Sequence, residues 1–157
     1  MMETHSLARA LAQNTLLTKL SMDHLEFLSG CAKNVRISAG EYLFREGEDA
    51  NELFLIRRGV IALEVYAPPR STMSAETVGS GDLLGWSVLF PPHTWSIDAR
   101  VLEDALLFSI DGACLRKKLE ADHDFGYHLM RVVLEHVHRR LERLRLQQLD
   151  VYRTESI

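Results

Sequence analysis

The histidines are the side chains in this sequence best suited to bind a metal ion. Four of them, His123, His128, His136 and His138, lie near or along one C-terminal segment, and the sequence contains no HExxH motif. If this segment is helical, residues 136 and 138 lie about 200° apart around the axis and cannot share one ion. We therefore expect helix histidines that face solvent, and the sequence predicts no metal site.

Two cysteines, Cys31 and Cys114, could carry redox chemistry. They form no CxxC motif, and they are too few for an iron–sulfur cluster, which usually needs about four thiolates. Free cysteine is often buried, and the cytoplasm keeps thiols reduced. We expect two buried, reduced thiols.

The sequence shows no arrangement of residues typical of an enzyme. Gly79, Gly81 and Gly85 form GxGxxxG, which differs from the GxGxxG fingerprint of dinucleotide-binding proteins. A cupin-like metalloenzyme would need several histidines and a carboxylate on its strands, whereas residues 32–111 contain a single histidine, His93. We predict that the protein is not an enzyme, and metal analysis would identify the cupin-like alternative.

The chain as a whole predicts one soluble domain. It has 157 residues and a net charge of −4, so the whole molecule does not attract nucleic acid or an anionic membrane. The N-terminal sequence MMETHSLARA lacks the pattern of a signal peptide. No stretch approaches the roughly 18 apolar residues of a membrane span. We expect a cytoplasmic protein that does not bind membranes.

The elements that position these residues follow from the apolar period, which is helical at both ends of the chain. Residues 6–19 and 22–28 are predicted helices, the second capped by Ser21. Near the C-terminus, Asp111 is the expected cap of a helix at 112–121. Asp122 is the expected cap of a longer helix, from about His123 to Leu149.

Between these helices, the sequence alternates in short runs separated by glycine turns, a pattern typical of a β-barrel or sandwich. The segment Pro68–Ser74 reads as an exposed hairpin loop. Eight strands are predicted, at Val35–Ile37, Glu41–Phe44, Glu52–Ile56, Val60–Val65, Glu76–Val78, Leu83–Leu84, Ile97–Val101 and Ala105–Ile110.

One segment, AGEYLFREGEDANELFLIRRGVIAL at residues 39–63, carries Gly40, Gly47 and Gly59 within an apolar strand pattern. It resembles the early strands of cyclic nucleotide-binding domains, such as the sensor domains of catabolite-activator-type (Crp/Fnr-like) transcription factors. The resemblance covers roughly residues 10–150. It implies a mainly β fold, an eight-stranded jelly-roll-like β-barrel with N-terminal helices and a long C-terminal helix. We expect a single domain made of helices at 1–31, a β-roll at 32–111 and helices at 112–157.

A second segment, GDLLGWSVLFPPHTWSIDARV at residues 81–101, resembles the phosphate-binding cassette of this family. Aligned without gaps from Gly81, the family's ribose-binding glutamate falls on Trp86 and its phosphate-binding arginine on Trp95. Tryptophan offers one neutral N–H where arginine offers a charged fork, so we expect weak or no binding of cyclic AMP or cyclic GMP. The ligand-binding residues implied by the alignment are Leu84, Gly85, Trp86, Ser87, Trp95, Ser96 and Ile97.

The two indoles leave two alternatives open. They could form an aromatic box for a flat or apolar ligand, or they could fill the cavity as part of the core. No cofactor is predicted, and any small-molecule ligand is expected to be nucleotide-like or aromatic.

The long C-terminal helix carries apolar residues at heptad spacing, which predicts a homodimer through residues 127–151. Packing of the same stripe on the protein's own barrel is the alternative. The basic residues Arg131, Arg139, Arg140, Arg143 and Arg145 are interpreted as a solvated face beside this seam. The predicted dimer interface consists of Met130, Leu134, Val137, Leu141 and Leu144.

These observations together predict a stand-alone regulatory module that senses a ligand or acts as an adaptor for a partner protein. The chain stops about eight residues past Leu149, so we expect no helix-turn-helix domain and no direct sequence-specific DNA binding. The alternatives are a genuine cyclic-nucleotide sensor acting through a partner, and a structural protein with a plugged pocket.

Overall fold

A computed structural model describes residues 2–66 and 72–155, with side chains for residues 6–66 and 76–149. The N-terminal part is helical: α1 spans Met2–Ala12, a 3-10 turn follows at Thr15–Leu17, and α2 spans Met22–Ser29. The helix predicted over residues 6–19 is therefore wrong at its C-terminal end. The reason is local, because the Asn14 side chain accepts a hydrogen bond from the Leu16 amide (2.9 Å) and begins a separate turn.

One antiparallel sheet follows, built from β1 (Ala32–Ile37), β2 (Tyr42–Phe44), β3 (Glu52–Tyr66), β4 (Thr72–Val78), β5 (Leu83–Leu84) and β6 (Asp98–Asp111). The strand order is β1-β6-β3-β4, while β2 pairs with β6 and β5 pairs with β3. The predicted class, a mainly β domain with flanking helices, is confirmed. Within the described residues β1 and β4 do not pair, so the sheet does not close into a barrel.

The described part of the chain has six strands where eight were predicted, because two pairs of predicted strands are continuous. The long strand β3 passes through Gly59 instead of breaking there, with register shifts between Ile56 and Ile61. Gly59 has φ 104°, and a Cβ atom there would lie 2.7 Å from Ala105 Cα on β6. Glycine thus allows a bend where a side chain would separate the two strands.

The predicted hairpin loop Pro68–Ser74 is only partly within the described residues. Residues 72–74 form the start of β4 rather than a loop. Residues 68–71 lie outside the described part of the chain.

Two helices complete the fold: α3 spans Gly112–Ala121 and α4 spans His123–Glu155. The predicted caps are confirmed. The Asp111 side chain accepts a hydrogen bond from the Cys114 amide (2.8 Å), and Asp122 accepts one from the Phe125 amide (3.0 Å). Ser21 likewise caps α2. No helix in the described part of the chain is both long and apolar enough to cross a bilayer.

The core has two parts, which lie on the two faces of the sheet. A helix-side core packs α1, α2, α3 and α4 against strand residues such as Phe108 and Leu53. An inner core lies within the curved sheet and contains Phe44, Phe54, Trp95 and Leu107. The candidate ligand site lies where the inner core meets α4.

The prediction of two reduced thiols is wrong in this structure, because Cys31 and Cys114 form a disulfide. Pairing of β1 with β6 places Ala32 opposite Ile110, and the Asp111 amide donates to the Cys31 carbonyl (2.9 Å). The turn into α3 then carries Cys114 to the same place, with a Cα–Cα distance of 5.7 Å, which suits a disulfide. An 83-residue separation hides this proximity in the sequence.

Candidate functional site

The cassette segment begins with β5, which pairs with β3 through Leu84 and Phe54. Gly85 then turns the chain with φ 88° and begins a 3-10 helix, Trp86–Leu89. A Cβ atom on Gly85 would lie 2.9 Å from the Glu52 carbonyl oxygen and 2.9 Å from the Trp95 ring. Glycine at this position therefore permits both the left-handed backbone and the close approach of the indole.

Trp95 points inward, as predicted, and is only 6% exposed. Its ring stacks on Phe44 with a centroid separation of 4.0 Å and an interplanar angle of 15°. Its backbone is fixed on the opposite side, since the amide donates to the Glu48 carbonyl (3.0 Å) and the carbonyl accepts from the Gly47 amide (2.9 Å). The indole is therefore a packed part of the inner core.

The predicted ligand-binding residues lie around one small cavity of about 70 Å³. Ligand pockets are typically about 300–1,000 Å³, so this cavity is too small to enclose a nucleotide without rearrangement. Three further residues line it, and sequence reasoning placed none of them there: Phe44, Leu63 and Arg140. The full lining is Phe44, Leu63, Leu84, Gly85, Trp86, Ser87, Trp95, Ser96, Ile97 and Arg140.

Arg140 is the principal residue that the sequence analysis missed. The expectation of a solvated basic face is wrong for Arg140, which is 8% exposed and extends from α4 over the cassette. Its Nη2 atom lies 2.6 Å from Glu76 Oε2 and its Nε atom 3.3 Å from Glu76 Oε1, while its guanidinium carbon lies 4.7 Å from the centre of the Trp86 ring. The cation at this pocket thus comes from the C-terminal helix and is already paired with a buried carboxylate.

Arg143 strengthens the same attachment one turn later. Its Nη2 atom lies 3.4 Å from Asp82 Oδ1 and 3.8 Å from Glu76 Oε1. Asp82 also accepts a hydrogen bond from the Gly79 amide (2.9 Å), which fixes the turn before the cassette. Ion pairs therefore join helix α4 to the start of the cassette segment, at Asp82, and to the preceding strand β4, at Glu76.

His136 provides a neutral contact between the same elements. The expectation of a solvent-facing histidine is wrong, because His136 is 3% exposed and its Nε2 atom accepts a hydrogen bond from the Leu83 amide (3.3 Å). Burial, assisted by the positive charges of Arg140 and Arg143, lowers the pKa of His136 from 6.5 to about 4, against the opposing effect of Asp82. The imidazole is thus uncharged at neutral pH, with its proton on Nδ1.

This pKa predicts a loss of stability in mild acid. The unfolded chain protonates His136 near pH 6.5, whereas the folded chain resists protonation down to about pH 4, so stability falls as the pH decreases through this interval. Between pH 7 and pH 5 we expect His136 to contribute a loss of about 2 kcal/mol. Urea unfolding of the wild type and of His136→Gln measures this contribution as the difference between their pH profiles. The His138→Gln variant, altered at an exposed position of the same helix, is the control; equal profiles for wild type and His136→Gln would contradict the assignment.

The predicted dimer seam is only partly exposed. Leu134 and Leu141 are 67% and 46% exposed, whereas Met130, Val137 and Leu144 are half-buried. Val137 packs against the helix-side core of its own domain. One edge of the heptad stripe therefore packs against its own domain, and the other edge faces solvent.

The comparisons with known proteins agree with this architecture. Residues 34–122, more than half of the chain, match the family model of the cyclic nucleotide-binding domain. The anaerobic regulatory protein of Bacillus subtilis (strain 168) is 27% identical over 127 residues, which is 80% of this chain and 53% of that protein. The chain thus spans about half the length of this curated relative.

Solved structures show the same fold. A putative cyclic nucleotide-binding protein from Geobacter metallireducens GS-15 aligns with a TM-score of 0.76 and 25% identity, over 85% of this chain and 97% of that one. The sensor domain of the transcriptional regulator DNR from Pseudomonas aeruginosa aligns with a TM-score of 0.70 and 17% identity, over 90% and 95% of the two chains. A cyclic nucleotide-binding domain from Methylobacillus flagellatus KT gives 0.79 and 15%, over 94% and 83%.

Proposed function

Because the chain belongs to the cyclic nucleotide-binding domain family, we propose that it is a regulatory ligand-sensing or adaptor module, and not an enzyme, whose cassette no longer takes ordinary cyclic nucleotides. The observation that carries this proposal is Trp95, which stacks on Phe44 inside the sheet and leaves a cavity of about 70 Å³. Calorimetric titration with cyclic AMP and cyclic GMP tests it, and we expect no binding.

The residues around the cavity do not fit a cyclic nucleotide. In the gapless alignment with the cassette of the family, Trp95 falls at the position of the arginine that binds the phosphate and Trp86 at that of the glutamate that binds the ribose. A phosphate there would lack the family's arginine, and each charge-assisted hydrogen bond that it loses is worth about 1.5–3 kcal/mol. Of the two earlier alternatives for the indoles, the stacking and the small cavity favour filling over an open aromatic box.

A genuine cyclic-nucleotide sensor is the second candidate, and one observation favours it. The Arg140 guanidinium lines the cavity and could serve an anion if Glu76 released it. That exchange would also require Trp95 to leave its stack on Phe44. A nucleotide-like or aromatic small molecule that displaces the indole is the ligand class that meets both requirements. The third candidate is a structural module whose pocket is permanently filled.

The contacts of α4 support a regulatory function. Arg140, Arg143 and His136 connect this helix to the cassette, while Lys19 from the N-terminal turn pairs with Glu135 on the same helix (2.8 Å). A movement of Asp82, Leu83 or Trp86 therefore alters a direct contact of α4. We propose that the exposed edge of α4 is where the module forms a homodimer and where a partner protein could read its state.

The homodimer predicts a specific outcome for charged substitutions. The double variant Leu134→Glu, Leu141→Glu places two carboxylates on the exposed seam and leaves the buried residues of α4 unchanged. We expect the wild type to sediment as a dimer and this variant as a folded monomer, because burial of apolar surface holds the interface together. The matched control is Arg139→Glu, an exposed position of the same helix outside the predicted seam. A wild type that stays monomeric at high micromolar concentration would contradict the proposal.

We propose that the chain does not bind specific DNA sequences itself and acts in the cytoplasm. The cytoplasmic glutathione pool is reducing, so a Cys31–Cys114 disulfide would have to resist it there. Measuring whether these two cysteines are oxidised in the cell therefore tests this location.

A further inference from the structure

Three side chains with metal-binding atoms meet where α2 packs against the beginning of α4. His24 lies on α2. Asp124 and His128 lie at the beginning of α4, away from the part of this helix that contacts the cassette. One potential ligand atom from each residue lies within 4.8 Å of the other two. His24 Nε2 is 3.0 Å from Asp124 Oδ2, and His128 Nδ1 is 3.6 Å from Asp124 Oδ1. His128 Nδ1 also forms a hydrogen bond with the Asp124 main-chain carbonyl (2.8 Å), so His128 must release this carbonyl or present its Nε2 atom to bind an ion. This cluster comprises two imidazoles and one carboxylate.

The local structure explains why these residues converge. Asp124 and His128 are four residues apart, so they lie on one face of α4. His24 is held by packing: its side chain is 13% exposed, and its ring contacts the edge of Phe125 at a centroid separation of 5.7 Å. Its Nδ1 atom is buried and has no hydrogen-bond partner among the described residues. Asp124 is therefore the polar neighbour that orients the His24 ring.

We propose that His24, Asp124 and His128 form a binding site for a divalent transition-metal ion of the Zn²⁺ type, with water in the fourth position. Imidazole nitrogens and a carboxylate oxygen are ligands that such ions prefer. Around a tetrahedral ion with bonds near 2.0–2.2 Å, ligand atoms are about 3.3 Å apart, so the cluster must contract slightly. Asp124 and His128 are 73% and 41% exposed, and their side chains can make this movement without repacking the core.

The site would add a link between α2 and α4, which already pack against each other through Phe27 and Phe125. An ion there ties α2 to α4, the helix that also lines the cassette and carries the exposed seam. Binding to the folded chain alone raises stability by mass action, so we expect the melting temperature to rise as Zn²⁺ is added.

Titration of the full chain with Co²⁺, followed by visible absorbance, and competition by Zn²⁺ test the proposal. We expect one equivalent of Co²⁺ to bind with the absorption bands of nitrogen and oxygen ligation, and Zn²⁺ to displace it. His24→Gln, Asp124→Asn and His128→Gln should each weaken binding by about tenfold or more. The control is His138→Gln, which removes an exposed histidine of the same helix and should leave the affinity unchanged.

Two results would overturn this site. One is the lack of stoichiometric Co²⁺ binding by the wild type. The other is wild-type affinity in Asp124→Asn and His128→Gln, which would mean that the ion binds elsewhere on the surface. Because these two variants replace exposed side chains, they decide the question even if His24→Gln fails to fold.

Discussion

Replacing Trp95 by alanine should destabilise the protein by about 3–5 kcal/mol, the range observed for removal of a large buried aromatic side chain. The indole is 6% exposed and stacks on Phe44, whose ring in turn lies 6.3 Å from that of Phe54. Its removal leaves a cavity lined by rings and aliphatic side chains that cannot collapse fully. Urea unfolding of Trp95→Ala and wild type, without added ligand, measures the loss.

Phe90→Ala is the matched control, because Phe90 lies in the same segment and is 51% exposed. We expect it to change the free energy of unfolding by less than about 0.5 kcal/mol. A second readout is rescue: free indole should raise the melting temperature of Trp95→Ala, since a dry apolar cavity binds an apolar ligand of its own shape. A loss below about 1 kcal/mol for Trp95→Ala would mean that the indole does not fill the core.

Removing the Arg140 guanidinium is the second change with a large expected effect. Arg140→Met leaves the Glu76 carboxylate, 7% exposed, without its closest cation, and breaking one partner of a buried ion pair costs about 3–5 kcal/mol. Arg143 remains 3.8 Å from Glu76, so we expect a value near the lower end, about 3 kcal/mol. Thermal and urea unfolding measure this loss, and Trp86 emission should change because the guanidinium lies over its ring.

The double variant Arg140→Met, Glu76→Met tests whether the two residues stabilise the protein as a pair. Two apolar side chains in place of a buried ion pair restore much of the stability that one substitution removes, so the two single losses should not add. Arg139→Met is the control at an exposed neighbouring position and should be nearly neutral. If the two single losses are additive, or if Arg140→Met behaves like Arg139→Met, the ion pair does not hold α4 against β4.

The parts of this fold that follow from local sequence could be predicted, and the parts that depend on distant pairs could not. Asp111 and Asp122 were recognised as caps because a capping side chain accepts from an amide two or three residues away. The inward direction of Trp95 followed from strand alternation and the cassette alignment. By contrast, the Arg140–Glu76 pair joins residues 64 positions apart. A helical period shows which face of α4 is apolar, but not which carboxylate an arginine will meet.

The same reasoning applies to strand number and to the cysteines. Glycine and charged residues near position 59 read as a turn, yet cross-strand pairing with β6 continues through them. Whether a strand bends or ends depends on its neighbours, which the sequence of that strand does not contain. Cys31 and Cys114 become neighbours only through the register of β1 and β6. The same applies to His24 and His128, which lie on different helices and become neighbours only because α2 packs against α4.

Calorimetric titration of the purified full chain with cyclic AMP and cyclic GMP tests the central claim most directly. Trp95 fills the space and Arg140 is already paired with Glu76, so we predict no binding heat for either nucleotide even at millimolar ligand. Stoichiometric binding at micromolar or tighter affinity would contradict the account. If Arg140→Met then abolished that binding, the arginine of α4 would have replaced the missing arginine of the cassette, and the module would be a cyclic-nucleotide sensor.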